Sequence, residues 1–226
     1  MLAPASPRSE TASPHAAAPG AEDALSRLFG RIGRPVVFER DEMLAAERDR
    51  VGRVYLLLSG VVRSCICTEA GERQIFAFAR PGDLVGFPDL DSWHCDVEAC
   101  CTVRLLSVAA AAFNDALLGD PAAARAARAR CVEQLRRRER HLVWLTKLQS
   151  EARVLAFLTE FAGEAGGTGA LVPLPLTRQE IGDHLGMTME TVCRSITSLR
   201  RRGVVETDEL GRFRLTEDAR RERCAA

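Results

Sequence analysis

"LTRQEIGDHLGMTMETVCRSITSLRRRGVVE", residues 176–206, is the stretch from which the rest of the chain is best read. It predicts two short helices, Arg178 to Leu185 and Met189 to Arg201, around a tight turn. Ile181, Leu185 and Met187 supply an inner face. Gly182 is small where the helices must approach, and Gly186 suits a left-handed turn. Thr188 can cap the second helix through its side-chain oxygen. Within that helix Val192, Ile196 and Leu199 fall at i, i+4 and i+7, which makes one buried stripe. Glu190, Cys193, Arg194 and Thr197 fall on the opposite side.

A polar outer face is ordinary for a soluble helix, so its contents matter more than its polarity. Arginine can bind guanine O6 and N7 with two hydrogen bonds, and glutamate can accept from cytosine N4. Glu190 and Arg194 lie in the first turns of the second helix, the part that enters a major groove in this motif. Thr177, Arg178 and Thr188 are placed to hold phosphates. Met189, Thr191 and Thr197 are candidates for secondary contacts with DNA. A purely structural helical hairpin would leave the Glu190–Arg194 pair unexplained.

Upstream, the texture from about residue 34 to 108 is β: VYLLLSG (54–60), VVRSCICT (61–68), RQIFAFAR (73–80) and DVEACCTVRLLSV (96–108) alternate with turn residues. Many short strands with frequent turns predict an antiparallel roll or barrel. Ala109 to Leu118 reads as a short helix. Asp120 and Pro121 then start a long one reaching about Lys147, since aspartate caps and proline suits the first turn. Cys131, Leu135, Leu142 and Leu145 lie on a weak heptad seam, as in a helix that pairs with its own copy; an amphipathic helix packed on its own domain is the other reading. Ser150 to Glu164 is a further helix, with Val154, Leu155, Leu158 and Phe161 on one stripe. The end, GVVETDELGRFRLTED, reads as a hairpin turning near Gly211. The expected organisation is therefore α+β. A leader spans 1–23, a β-roll 24–118, a dimerisation helix 119–148 and a winged helix-turn-helix 149–226.

The formal net charge is +0, so charge alone announces no polyanionic partner. Between residues 121 and 150, however, eight basic residues face only Glu133 and Glu139. The run Arg136 to Arg138 reads as a solvated helix face, and Arg200 to Arg202 as complementing a helix C-terminus. The first 23 residues are rich in Ala, Pro and Ser without the apolar core of a signal peptide, which predicts a disordered leader. No apolar run reaches the length of a membrane span. A cytoplasmic protein is expected, its eight cysteines mostly reduced.

The 176–206 segment resembles the DNA-binding motif of the Crp/Fnr family of bacterial transcription regulators, and the resemblance extends over about residues 24 to 220. "LLLSGVVR…GERQIFAFARPGDLVGF" resembles the family's β-roll, the helix after Pro121 its dimerisation helix, and the final hairpin its wing. The resemblance implies a homodimer that reads a palindrome and works with RNA polymerase. It makes Glu190 and Arg194 the base-reading pair. In the Fnr and FixK type of motif, E-T-V-S-R, a serine touching a base edge stands where Cys193 stands here, and the implied half-site is TTGA(T/C).

Cyclic-AMP members of the family hold the nucleotide with a glutamate and an Arg-Ser pair. Val85-Gly86 and His94-Cys95-Asp96 occupy the corresponding places, and an acidic Asp96 would repel a phosphate. Cluster-binding members carry a cysteine group near the N-terminus, but residues 1 to 64 contain no cysteine. Cys65, Cys67, Cys95, Cys100 and Cys101 fall on expected strands, Cys65 and Cys67 sharing one face. No metal or cofactor is assigned. This pattern resembles the FixK subgroup, which implies microaerobic, respiratory or nitrogen-related gene control. Cys193 either replaces serine as a small side chain or acts as an oxidisable thiol beside Arg194 and a helix N-terminus, which favour thiolate. Cys131 either packs or bridges two subunits. The alternatives are a haem-, nitric-oxide- or iron–sulfur-dependent member of the same family, with His94 or His141 as a haem ligand, and a cupin-type metalloenzyme. The four widely separated histidines disfavour the latter.

Overall fold

The computed structural model describes residues 23–69, 71–86, 91–163 and 169–219. The leader, apart from Asp23, lies outside these residues, as do residues 88–90 and 164–168 of the expected turns and Cys224. The elements run in chain order α1 (Ala24–Ile32), β1 (Arg34–Phe38), β2 (Met43–Ala45), β3 (Arg53–Ser59), β4 (Val62–Cys67), β5 (Arg73–Ala79), β6 (Leu84–Val85), β7 (Asp96–Ala99) and β8 (Val103–Ala109). There follow α2 (Ala110–Gly119), α3 (Pro121–Lys147), α4 (Ser150–Ala162), β9 (Val172–Pro173), α5 (Arg178–Leu185), α6 (Met189–Arg201), β10 (Val205–Thr207) and β11 (Arg212–Leu215). The chain divides into two compact units, Met1–Arg138 and Glu139–Ala226, the division falling inside α3.

The first unit is an antiparallel roll of two four-stranded sheets, ordered β1-β8-β3-β6 and β2-β7-β4-β5. The near-continuous apolar run of β3 has a simple cause: both faces of this strand are buried. Tyr55 and Leu57 enter the roll interior with Val103 and Leu105 of β8. Val54 and Leu56 point the other way, into a second cluster with Leu25, Leu28 and Phe29 of α1, Phe113 of α2 and Ala123 and Ala127 of α3. Both sets of alternating positions from Val54 to Leu57 are thus filled by apolar residues. The two buried alanines let α3 lie close to the sheet.

Polar contacts hold α3 in register. Asp120 caps it, accepting from the amides of Ala122 (3.1 Å) and Ala123 (3.0 Å). Arg130 reaches Asp23, the N-cap of α1, at 2.8 Å. The Gln134 amide donates to the Leu84 carbonyl at 2.8 Å. Arg137 clamps Asp83 with both terminal nitrogens, one contact at 2.8 Å, and Arg138 stands over the Phe76 ring at 5.3 Å. The basic run is therefore not merely a solvated face: only Arg136 of the three is left exposed, because the Pro81-Gly82-Asp83 turn meets the helix at Arg137.

The 96–108 run is two strands rather than one. It breaks at Cys100-Cys101-Thr102, where β7 in one sheet passes to β8 in the other. Cys100 and Cys101 consequently lie in bends, not on strands, and Cys95 lies in the bend that precedes β7. Cys65 and Cys67 share a strand face, pairing in unbroken register opposite Ile75 and Arg73, and differ only in depth: Cys65 is buried, and Cys67, the last residue of β4, is exposed. Burial pushes the Cys65 thiol up to about 12 and the Cys95 thiol up to about 11, which keeps both protonated and poorly nucleophilic. Among the described residues, no three His, Cys, Asp or Glu side chains are grouped to hold a metal ion. No helix of the described residues is long and apolar enough to cross a membrane.

The expected seam residues of α3 separate into two groups. Cys131 packs against its own domain's second core cluster, which favours the packing role over an intersubunit bridge. Leu145 is half-buried, 3.7 Å from the point where a side chain on Gly186 would begin. Leu135 and Leu142 are exposed, at 56% and 62%, and Val132 and Val143 are exposed with them.

The Asp83–Arg137 pair is nearly dry, with side chains 7% and 14% exposed. Asp83→Ala should lower unfolding free energy by about 3–5 kcal/mol, since it removes the carboxylate that both terminal nitrogens of a nearly buried guanidinium hold. Chemical denaturation followed by circular dichroism measures this.

Candidate nucleic-acid interface

The helix-turn-helix is built by local chemistry. Thr177 and Glu180 form a reciprocal capping box at the start of α5, in which the Thr177 hydroxyl accepts from the Glu180 amide at 3.1 Å and Glu180 accepts from the Thr177 amide. Gly186 ends α5 at φ 62°, ψ 44°, the left-handed conformation that favours glycine. Thr188 caps α6, accepting from the Thr191 amide at 3.2 Å. A Cβ on Gly182 would stand 2.6 Å from the Met187 carbonyl oxygen, so the close approach is between α5 and the backbone of the turn. Both helices have the bounds the sequence predicts.

On α6, Val192, Ile196 and Leu199 are buried, and Ser195 lies with them. Glu190, Cys193, Arg194 and Thr197 share the exposed side, and Met189 at the first position is exposed. Glu190 and Arg194 pair with each other at 3.3 Å, one turn apart, both side chains more than two-thirds in solvent. Such a pair is worth only about 0.3–0.5 kcal/mol, so it leaves both side chains readily available to other partners. The Thr197 hydroxyl donates back to the Cys193 carbonyl at 2.9 Å, and the Thr191 and Thr188 hydroxyls share a bond of 2.9 Å. The expected phosphate-facing hydroxyls of Thr177 and Thr188 thus also serve as helix caps. Arg178 is half-buried at the start of α5. Burial lowers its pKa; the nearby Arg200 acts in the same direction, and Cys193 opposes it.

Ties on the far side of the motif set its position. Arg153 of α4 donates from one nitrogen to the Leu185 carbonyl (2.8 Å) and from the other to the carbonyls of Leu145 (3.2 Å) and Leu148 (3.0 Å). One guanidinium therefore satisfies carbonyls at the ends of both α3 and α5. His141 bonds the His184 carbonyl at 2.8 Å, which leaves its Nε2 unavailable as a haem ligand. His94, the other candidate, is exposed beside Phe76. No local sequence pattern marks Arg153, His141 or His184 as partners; only their non-local neighbours do.

The wing is a three-stranded antiparallel sheet, β10-β11-β9. Its hairpin turns at Gly211, φ 73°, as expected. The two-residue strand β9 adds an edge to the hairpin that the sequence predicts. The wing's arginines pair with its own acids, Arg212 with Asp208 at 2.6 Å and Arg214 with Glu206 at 2.7 Å.

A winged helix-turn-helix with an exposed Glu–Cys–Arg face, on a chain that also carries a β-roll and a long helix, defines a DNA-binding transcription regulator. Residues 152–220 match the family model of the Crp-like helix-turn-helix domain, and residues 35–120 that of the cyclic nucleotide-binding domain. The chain is 34% identical over 184 residues to the nitrogen fixation regulation protein FixK of Azorhizobium caulinodans, covering 80% of this chain and 74% of that one. It is 32% identical to the FixK of Bradyrhizobium diazoefficiens, covering 88% and 85%. The solved structure of FixK2 from Bradyrhizobium japonicum superposes with a TM-score of 0.77 at 29% identity, over 85% of this chain and 96% of that one. The chain belongs to the Crp/Fnr family of transcription regulators.

Gly182→Ala should destabilise the second unit by about 1–3 kcal/mol, because the new methyl must displace the turn backbone. The check is loss of the unit's cooperative melting and of DNA retention in the same variant.

Proposed function

We propose that the chain acts in the cytoplasm, not as an enzyme, but as a homodimer that binds a TTGA-type palindrome and regulates transcription through RNA polymerase. In this reading it is an activator in microaerobic or nitrogen-related gene control. The observation that carries the reading is the exposed Glu190–Cys193–Arg194 face in the first turns of the capped helix α6. Arg194 takes guanine, Glu190 takes cytosine N4, and Cys193 lies against a base edge. Thr177, Arg178 and Thr188 meet phosphates; Met189, Thr191 and Thr197 add secondary contacts. The names of the FixK relatives support the nitrogen-related assignment.

The exposed Leu135 and Leu142, with Val132 and Val143, support a seam on α3 where a second copy packs. Independence of cyclic AMP is supported by the filling of the roll. Trp93 and Val85 are buried in the interior cluster, and a Cβ on Gly86 would lie 2.9 Å from the Trp93 ring.

Cys193 is the proposed point of redox control. Peroxide transfers one oxygen to its sulfur and leaves as water, giving a sulfenic acid, and a second oxygen gives a sulfinate. Negative charge there, beside Arg194 and close to phosphates, weakens binding.

Gel-shift titration on the palindrome at fixed salt tests both parts. Arg194→Ala should lose about 1–3 kcal/mol of specific binding; unchanged selectivity would sink the assignment of α6 as the reading helix. Peroxide should abolish binding by the wild type and spare Cys193→Ser. Equal sensitivity of the two would remove Cys193 from the mechanism.

A further inference from the structure

Two imidazoles are buried together beneath the reading motif. His141 of α3 and His184 of α5 are each 6% exposed, and their rings stack at 3.9 Å and 9°. Trp144 meets His141 edge-on at 6.1 Å, and Phe157 of α4 lies 5.4 Å from His184. A carbonyl only accepts, so His141 donates from Nε2 to the His184 oxygen at 2.8 Å, and a further proton must go to Nδ1. His184 stands two residues before Gly186, the turn that launches α6.

We infer that this stack is an acid-sensitive latch: a proton on His141 loosens the junction between the end of α3 and the helix-turn-helix, and DNA affinity falls. The inference rests on α6 being the DNA-reading helix. The hydrogen bond itself would survive protonation, because imidazolium still donates from Nε2. What the site rejects is a positive charge taken out of water, against a second imidazole that can also bind a proton. The charged groups around it work in both directions. From α4, Arg153 opposes a proton, whereas Glu160 favours one. Glu160 is itself engaged by Arg140 of α3 at 2.8 Å. Of the acids of α5, Glu180 bonds the Thr177 amide and Asp183 the Gln179 side chain.

Burial dominates, and the pKa of His141 lies below the ordinary value of 6.5. A lowered pKa means that the latched state binds fewer protons than the opened one. Latching is therefore complete above the ordinary value, weakens as pH falls from there toward the lowered value, and weakens no further below it.

The test uses full-length protein and fluorescence anisotropy on the TTGA-type duplex at fixed salt, from about pH 7.5 to about pH 5.5, a span that brackets the ordinary histidine pKa. Thermal melting is followed over the same range. Wild type should lose up to about tenfold in affinity per subunit and melt at lower temperature in acid, as one excluded proton dictates. His141→Gln keeps a donor without the titration and should stay flat in both, while His94→Gln, at an exposed site, should follow the wild type. Equal pH dependence in wild type and His141→Gln would overturn the latch. Should His141→Gln fail to fold, the wild-type imidazole resonances decide: His141 titrating at or above the ordinary value overturns it, and titration below supports it. A wild type that ignores the duplex at about pH 7.5 would refute the operator reading, while the melting curves and resonances would still judge the latch.

Discussion

Burial of β3 and β8 on both faces is the constraint on which the first unit depends. A strand pair whose central residues are apolar on both faces cannot leave either side to water. One side is closed by the roll itself, with Leu57 and Leu105 fully buried, and the other by α1, α2 and the alanine-rich start of α3. Ala123 and Ala127 allow the close approach, and Asp83 and Arg137 then fix the helix along its length. Because these contacts use one side of α3, the apolar residues Val132, Leu135, Leu142 and Val143 are left on another.

The parts of the fold legible in the sequence are those with local causes. Both helices of the reading motif could be bounded because Thr177, Gly186 and Thr188 act within a turn of themselves. The start of α3 was legible for the same reason at Asp120 and Pro121. Where the cause is non-local, the sequence misleads. Nothing in Cys100-Cys101-Thr102 looks like a break, since no glycine or proline is present, yet the chain changes sheets there. The heptad places Cys131 on a seam, while packing turns it into its own core. Strand β9 is too short to show a period, and its pairing with β11 defines it.

The candidate site divides the same way. The exposed polar face of α6 follows from helical spacing alone. Its support does not: Arg153 ties Leu145, Leu148 and Leu185 through contacts up to 32 residues apart in sequence, and His141 reaches His184 across 43. Arginine is abundant, but much of it is committed to structure. Arg63, for example, is buried against Glu98 (2.7 Å) and Asp41 (2.9 Å). Burial works against its charge, and the two carboxylates more than restore it.

The internally paired wing bears on how this protein meets a polyanion. Arg212 and Arg214 already have carboxylate partners on the same hairpin. Guanidinium groups compensated in this way displace few of the sodium or potassium ions condensed along a duplex, and it is the release of those ions that makes binding steeply dependent on ionic strength. The arginines of the wing therefore add less to the salt sensitivity of this regulator than free guanidinium groups at the same places would.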